Sequence, residues 1–406
     1  MKLFEKGELK LLWPFYLSII TQGLFFIWTI FYVVYFNQLG LTFLQISSFL
    51  SIYYLFGIIF EIPTGVIADI FGRKFSVVLG SILFGFIFIL IGLFQSYYIL
   101  LLLFALLSIS GTLISGADET LIVDHLKNNK RVDLVHNYYI KESSILGLSI
   151  ILNGFIGALL VKYFGLNIIW ISTGLSMLLG TLFIWIFINE NFKRNKIKIS
   201  SIKKSWNYSK FSIKYSLTHP ILLYLLLAWF FTVISFSLSS DVSWQPFLLS
   251  LNFKVYWLGY LISFCGLLKI ISSFLSKPLL KIIKKEKNYL VLVHFILFLT
   301  ILPIILISNW KIALLIFCTS SFLIDLMVPI KNKFFQDYTI SKYRATITSF
   351  KSVVTSIAAS IGMLTAGYMI DVIGPKLTIF YSSFLLIPSI IFYYLIKNKK
   401  HNYKKR

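Results

Sequence analysis

Five ionisable side chains fall inside long apolar runs of the 406-residue chain: Glu61, Asp118, Glu119, Lys269 and Asp325. Charge withdrawn from water is costly, and such side chains face partners or wet cavities where they handle ions or substrates. Asp118 and Glu119 are neighbours. Adjacent helical positions point about 100° apart, so one can face a cavity while the other meets a packed helix. A carboxylate withdrawn from water beside a second carboxylate can hold and release a proton. Asp118 and Glu119 are therefore candidates for proton coupling. Glu61 is the next, with Pro63 nearby marking a kink. Lys269 and Asp325 lie at comparable depth in different runs. They can form a neutralised structural pair, or a pair that opens and closes.

A second constellation lies in the turn between two apolar runs: Gly65-Val-Ile-Ala-Asp69-Ile-Phe-Gly72-Arg73-Lys74. Gly65 would let another helix approach closely. Gly72 permits a tight turn. Asp69, at the end of its helix, opposes the helix dipole and needs a donor elsewhere. Arg73 and Lys74 anchor the turn on the side where basic residues collect. The spacing recurs as Gly367-x-x-x-Asp371-x-x-Gly374, which suits an internal repeat.

The elements that position these residues are apolar runs of spanning length. The chain is 58% hydrophobic and 13% charged, far from the soluble norm. A span needs about 20 apolar residues. The runs predict helices at roughly 11–37, 42–69, 75–94, 98–125, 138–163, 166–188, 219–250, 254–276, 289–308, 311–338, 343–371 and 376–397. The expected fold is thus an all-α membrane protein of twelve transmembrane helices in two six-helix bundles, 1–188 and 219–406. The connecting segment, 189–218, alternates Lys and Arg with Ile, Trp, Tyr and Phe; it reads as an amphipathic interfacial segment or a solvated basic linker. With Lys162, Lys254, Lys311 and Lys376 on the outer side and Lys269 inside a span, the other 33 of 38 basic residues fall at the termini and inner loops. That asymmetry places both termini in the cytoplasm. It also accounts for the net charge of +23 as topology and contact with anionic lipid, with no motif for nucleic acid. Cys265 and Cys318 have no metal spacing, the five histidines form no catalytic or metal arrangement, and no Walker motif appears. Neither an enzyme nor a cofactor or metal is expected. The sequon at Asn207 lies on the wrong side for glycosylation.

The stretch Gly65–Lys74 resembles the loop signature of the major facilitator superfamily. The resemblance extends to the twelve spans, the basic central segment and the two inner termini. It implies inverted three-helix repeats within each half. It also implies that Asp69 and Arg73 act as a cytoplasmic latch stabilising an outward-facing state, with Asp124 as the partner of Arg73. Spans one, four, seven and ten would line a central cavity. The residues that fit are Gln22, Trp28, Asp118, Trp229, Asp241, Trp244, Gln245 and Asp325, with Lys269 added from span eight. The chain departs from the superfamily's drug exporters. Span four carries Asp118 and Glu119 in place of an arginine motif, span five has no Gly-Pro motif, and the loop Lys277–Lys287 lacks the acidic residue of the latch. The pairing of EIPTGVIAD with SGADET resembles a bacterial permease branch. The implied function is secondary transport of a small solute across the cytoplasmic membrane. A monomeric, proton-coupled exporter of a drug-like or amphipathic metabolite is expected. An importer, a lipid flippase or a non-transporting sensor are the alternatives.

Overall fold

The computed structural model describes residues 4–190, 213–340 and 343–396. Twelve helices among them are long and apolar enough to cross a membrane. We label them α1 (Glu8–Gln38), α2 (Phe43–Phe71), α3 (Arg73–Leu93), α4 (Tyr97–Asn128), α5 (Leu134–Phe164), α6 (Ile168–Phe187), α7 (Pro220–Ser250), α8 (Trp257–Ile283), α9 (Glu286–Leu306), α10 (Trp310–Asp337), α11 (Thr346–Ile373) and α12 (Pro375–Leu395). The expected spans are all present. Most of the segment 189–218 lies outside the described residues, as does the basic tail from 397 onward.

The chain divides into two compact units. The first comprises Met1–Ile197 with Asn252–Leu267, the second Lys198–Leu251 with Leu268–Arg406. In the first, α1 packs on α5 and α6, α3 on α4 and α6, and α2 on α4. In the second, α7 packs on α11 and α12, and α9 on α10 and α12. The start of α8 groups with the first unit for a steric reason. Gly154 of α5 and Gly259 meet backbone to backbone, where a Cβ on either would collide with the other's carbonyl. Ser263 Oγ then donates to the Ile151 carbonyl at 2.6 Å.

Two spans expected to be continuous are broken. Helix α1 stops at Leu24 and restarts at Trp28. Helix α7 stops at Leu238 and restarts at Asp241. Each break falls a little past the middle of the first helix of its half. Asp241 thereby occupies the first turn of a new helix, where a carboxylate favours the N-terminal end of the dipole. Helix α8 runs past the expected end at 276 because Pro278 is accommodated inside it. The α8–α9 connection is correspondingly short.

The first unit has an aromatic core. Trp28, only 8% exposed, packs its ring 5.4 Å from Phe88 and 6.0 Å from Trp170. Phe36 and Phe49 join at 4.9 Å, and Phe49 stacks on Phe104 at 5.0 Å. The second unit instead centres a buried polar knot. The Thr232 hydroxyl meets His294 Nε2 and Ser389 Oγ, each at 3.1 Å, and His294 Nδ1 donates to the Leu290 carbonyl at 2.7 Å. That knot ties α7, α9 and α12 together.

Candidate functional site

The α2–α3 turn is closed by charge. Gly72 ends α2 and opens α3 with a φ of 105°, a left-handed conformation that only glycine adopts without strain. Arg73 Nη2 lies 2.6 Å from Asp69 Oδ1 across that turn. The first amides of α3 are met from another helix. Glu190, just past α6, accepts from Arg73 N at 2.8 Å and from Lys74 N at 2.9 Å, one carboxylate oxygen each. Gly72 offers no side-chain cap of its own, so Glu190 takes the role a Ser or Asp N-cap usually fills. Ser76 Oγ then donates to the Leu113 carbonyl at 2.7 Å, fastening α3 to α4. The related turn at Gly374 repeats the glycine geometry, with a φ of 83°.

Behind this turn the first unit holds a small open-sided cavity of ≈ 50 Å³. Its polar lining is Ser18 and Gln22 from α1, Ser81 from α3, Asp118 from α4, Tyr138 from α5 and Thr181 from α6. Gln22 is held by a 3.0 Å bond from Nε2 to Ser18 Oγ. Asp118 is half-buried while Glu119 is exposed, the divergence expected of neighbours on one helix. Glu142 of α5 lies within electrostatic reach of both and is hydrogen-bonded by Tyr138. Lys141, beside it in sequence, is committed elsewhere: it pairs with Glu8.

In the second unit two lysines meet the indole of Trp229 on α7. Lys331 Nζ of α10 is 3.8 Å from the ring centroid, and Lys351 Nζ of α11 is 3.9 Å from it. Lys269 and Asp325 form no ion pair within 4.0 Å, although Lys269 lies within electrostatic reach of Asp325. Glu286 opens α9 and pairs with Lys333 of α10 at 2.6 Å. Trp244 and Gln245 are buried, with Trp244 edge-on to Phe317 at 5.1 Å.

The family model for the Major Facilitator Superfamily matches residues 15–350. The chain belongs to the major facilitator superfamily. It is similar to an uncharacterised MFS-type transporter, YxaM, of Bacillus subtilis (strain 168), at 27% identity over 390 residues covering 92% of each chain. Among solved structures it resembles a point mutant of the nucleoside transporter NupG with a TM-score of 0.77 at 11% identity, covering 95% of this chain and 100% of that one. It also resembles a bacterial homologue of the human lysosomal transporter Spinster in an inward-facing, unoccupied conformation. There the TM-score is 0.72 at 15% identity, with 95% of each chain covered. This superfamily member is thus a secondary transporter embedded in a membrane by twelve spans.

Several expectations for a superfamily member are met differently here. Arg73 pairs with Asp69 rather than with Asp124, which instead lies 3.7 Å from Lys127, one turn along its own helix. A Cβ on Gly65 would meet no atom within 4 Å, so no helix packs closely against it. Trp28 is a core aromatic outside the cavity lining, and Glu61 is exposed on α2. The one acid of the loop Lys277–Lys287, Glu286, pairs with Lys333 of α10. The sequence reading missed Glu190, Glu142, Lys331 and Lys351. Glu142 lies about one turn inside its apolar run, and Lys331 and Lys351 about two turns inside theirs, so these three carried a signal in their placement.

In this superfamily member, removing the charge of Asp69 tests the turn directly. Its ion pair is half-exposed and contributes about 0.2–1 kcal/mol. Asp69→Asn is expected to leave the melting temperature near that of the wild type and to slow transport severalfold. Glu190→Gln should slow it further, because it weakens two amide contacts at once. Wild-type flux in both variants would remove the turn from the transport cycle.

Proposed function

We propose that this transporter works by alternating access, moving a small amphipathic solute out through the cytoplasmic membrane in exchange for protons, with both termini inside. One observation carries the coupling. Asp118 opens onto a polar cavity, has two further carboxylates within electrostatic reach in Glu119 and Glu142, and has no cation within 4.0 Å among the described residues. A carboxylate so placed has Tyr138 and Gln22 beside it as hydrogen-bonding groups and no lysine or arginine to fix it in the charged form. Uptake and release of a proton there is the simplest use of the arrangement. The turn formed by Asp69, Gly72, Arg73, Lys74 and Glu190 serves as the latch that must release during the cycle.

Purified protein in liposomes tests this. An imposed pH gradient is expected to drive accumulation of labelled solutes from an amphipathic metabolite panel on the acidic side. Movement of solute with the proton gradient rather than against it would identify an importer. Equal flux with and without the gradient would discard proton coupling.

A further inference from the structure

We propose that the second unit holds an anion-binding subsite built from Lys331, Lys351 and Trp229, and that the cargo is an organic anion with a flat apolar body. The inference rests on the transporter reading in that the anion is taken to be cargo.

Lys331 is 8% exposed and lies six residues inside the end of α10; Lys351 lies five residues inside the start of α11. At helical rise both sit roughly 8–9 Å from the turn joining the two helices. Both side chains turn inward onto Trp229 instead of outward to the membrane surface. Both ammonium groups converge on one indole, within 4 Å of its centroid. Neither has a carboxylate within 4.0 Å among the described residues, whereas Lys333, two positions away on α10, is held by Glu286 and Asp337. Asp325, the nearest acid along α10 toward the middle of the span, is six residues off. The one other polar contact to Lys351 among the described residues is the Asn332 side-chain oxygen at 3.5 Å.

An indole face offsets only part of what an ammonium loses when it leaves water. Two positive charges brought together also repel. A site that retains both is short of negative charge. A carboxylate, sulfonate or phosphoryl oxygen between the two lysines would supply it, with charge-assisted hydrogen bonds from both. Trp229, only partly buried, offers aromatic surface for the body of the same molecule, and the buried Phe335, 5.1 Å from Lys351 Nζ, backs the site. Lysine, with its mobile point charge, suits a range of anionic head groups.

The test is thermal unfolding of the full-length protein in detergent with five probes sharing one ring: benzoate, benzenesulfonate, phenylphosphonate, benzyl alcohol and benzylammonium, each at millimolar concentration. At least one anion is expected to raise the melting temperature, with the alcohol and the ammonium inert. Lys331→Met and Lys351→Gln are each expected to weaken the response about tenfold or more, and Lys351→Arg to retain it. Lys331→Met without probe should melt at or above the wild-type temperature, since an unneutralised charge is replaced by an apolar chain of similar length. If Lys331→Met does not fold, Lys351→Gln carries the comparison alone. No response to any anion, an equal response to all five probes, or an undiminished response in the variants overturns the subsite. A protein that moves solute in liposomes but ignores the anions keeps the transport reading and loses this one. A protein that binds them through both lysines and moves nothing does the reverse.

Discussion

Asp118→Asn is expected to abolish proton-driven accumulation while leaving the protein folded. The side chain is half-buried, lines the polar cavity of the first unit and has no cation within ion-pair distance among the described residues. An asparagine of nearly the same shape can keep a hydrogen bond to its surroundings, so packing in α4 is undisturbed. It cannot accept and release a proton near neutral pH. In liposomes with an imposed pH gradient, solute accumulation should fall to the level of protein-free vesicles. Exchange of labelled for unlabelled solute without a gradient should persist, because it needs the conformational cycle but no net proton movement. Glu119→Gln is the comparison. Glu119 is exposed on the adjacent helical position, and its loss should shift the pH dependence of flux without ending it. Glu142→Gln should fall between the two, because it acts on Asp118 through space and is itself bonded to Tyr138. Full gradient-driven accumulation in Asp118→Asn would move the coupling role to another carboxylate.

The same cavity shows why some of this chain was legible from sequence and some was not. Spans announce themselves through apolar length, and all twelve fall where that length puts them. The α2–α3 turn was readable because its glycine and charges are local. Gly72 must take a positive φ, and Asp69 and Arg73 are one turn apart, so their pairing needs no distant partner. Glu190 was not readable, because it reaches the same turn from 116 residues away in sequence, where it looks like the last residue before a basic segment. The helix breaks at 25–27 and 239–240 interrupt continuous apolar runs. Only the second carries a local sign, Ser239-Ser240-Asp241, a sequence suited to starting a helix.

The lysines fail for a different reason. The positive-inside rule assigns basic residues near a span end to the membrane surface. That is correct for Lys333, which pairs with Glu286 and Asp337 near the end of α10. Lys331, two residues earlier, points to a different side of the helix and is buried against Trp229. A rule that counts charge by position along the chain cannot separate residues that differ by about 200° around a helix. Lys269 and Asp325 illustrate the converse. Matching depth suggested a pair; Lys269 does come within electrostatic reach of Asp325, but no ion pair within 4.0 Å forms, because depth alone does not fix where each side chain points around its helix.

The largest effect on stability is expected at Glu8, a residue ahead of the point where the apolar run begins. Its side chain is fully buried. It pairs with Lys141 of α5, accepts from the Tyr16 hydroxyl at 2.8 Å and accepts from the Glu5 amide at 2.8 Å. Lys141 also rests on the Phe4 ring, 4.4 Å from its centroid. Arg131 adds a bond to the Lys6 carbonyl at 2.8 Å, so the chain ahead of α1 is fastened to α5 and to the α4–α5 turn together. Removing one partner of a buried ion pair costs about 3–5 kcal/mol, and the lower end applies here because Lys141 keeps 22% exposure. Glu8→Gln and Lys141→Met should each lower the melting temperature in detergent by roughly 5–10 °C, compared at one scan rate because unfolding of such a protein is under kinetic control. The double variant should recover much of the loss, since neither charge is then left alone. Two single variants that melt with the wild type would show that the pair is solvated and contributes little. A double variant as unstable as the sum of the singles would show that Tyr16, Glu5 and Phe4, rather than the pairing of charge, are what hold α1 in place.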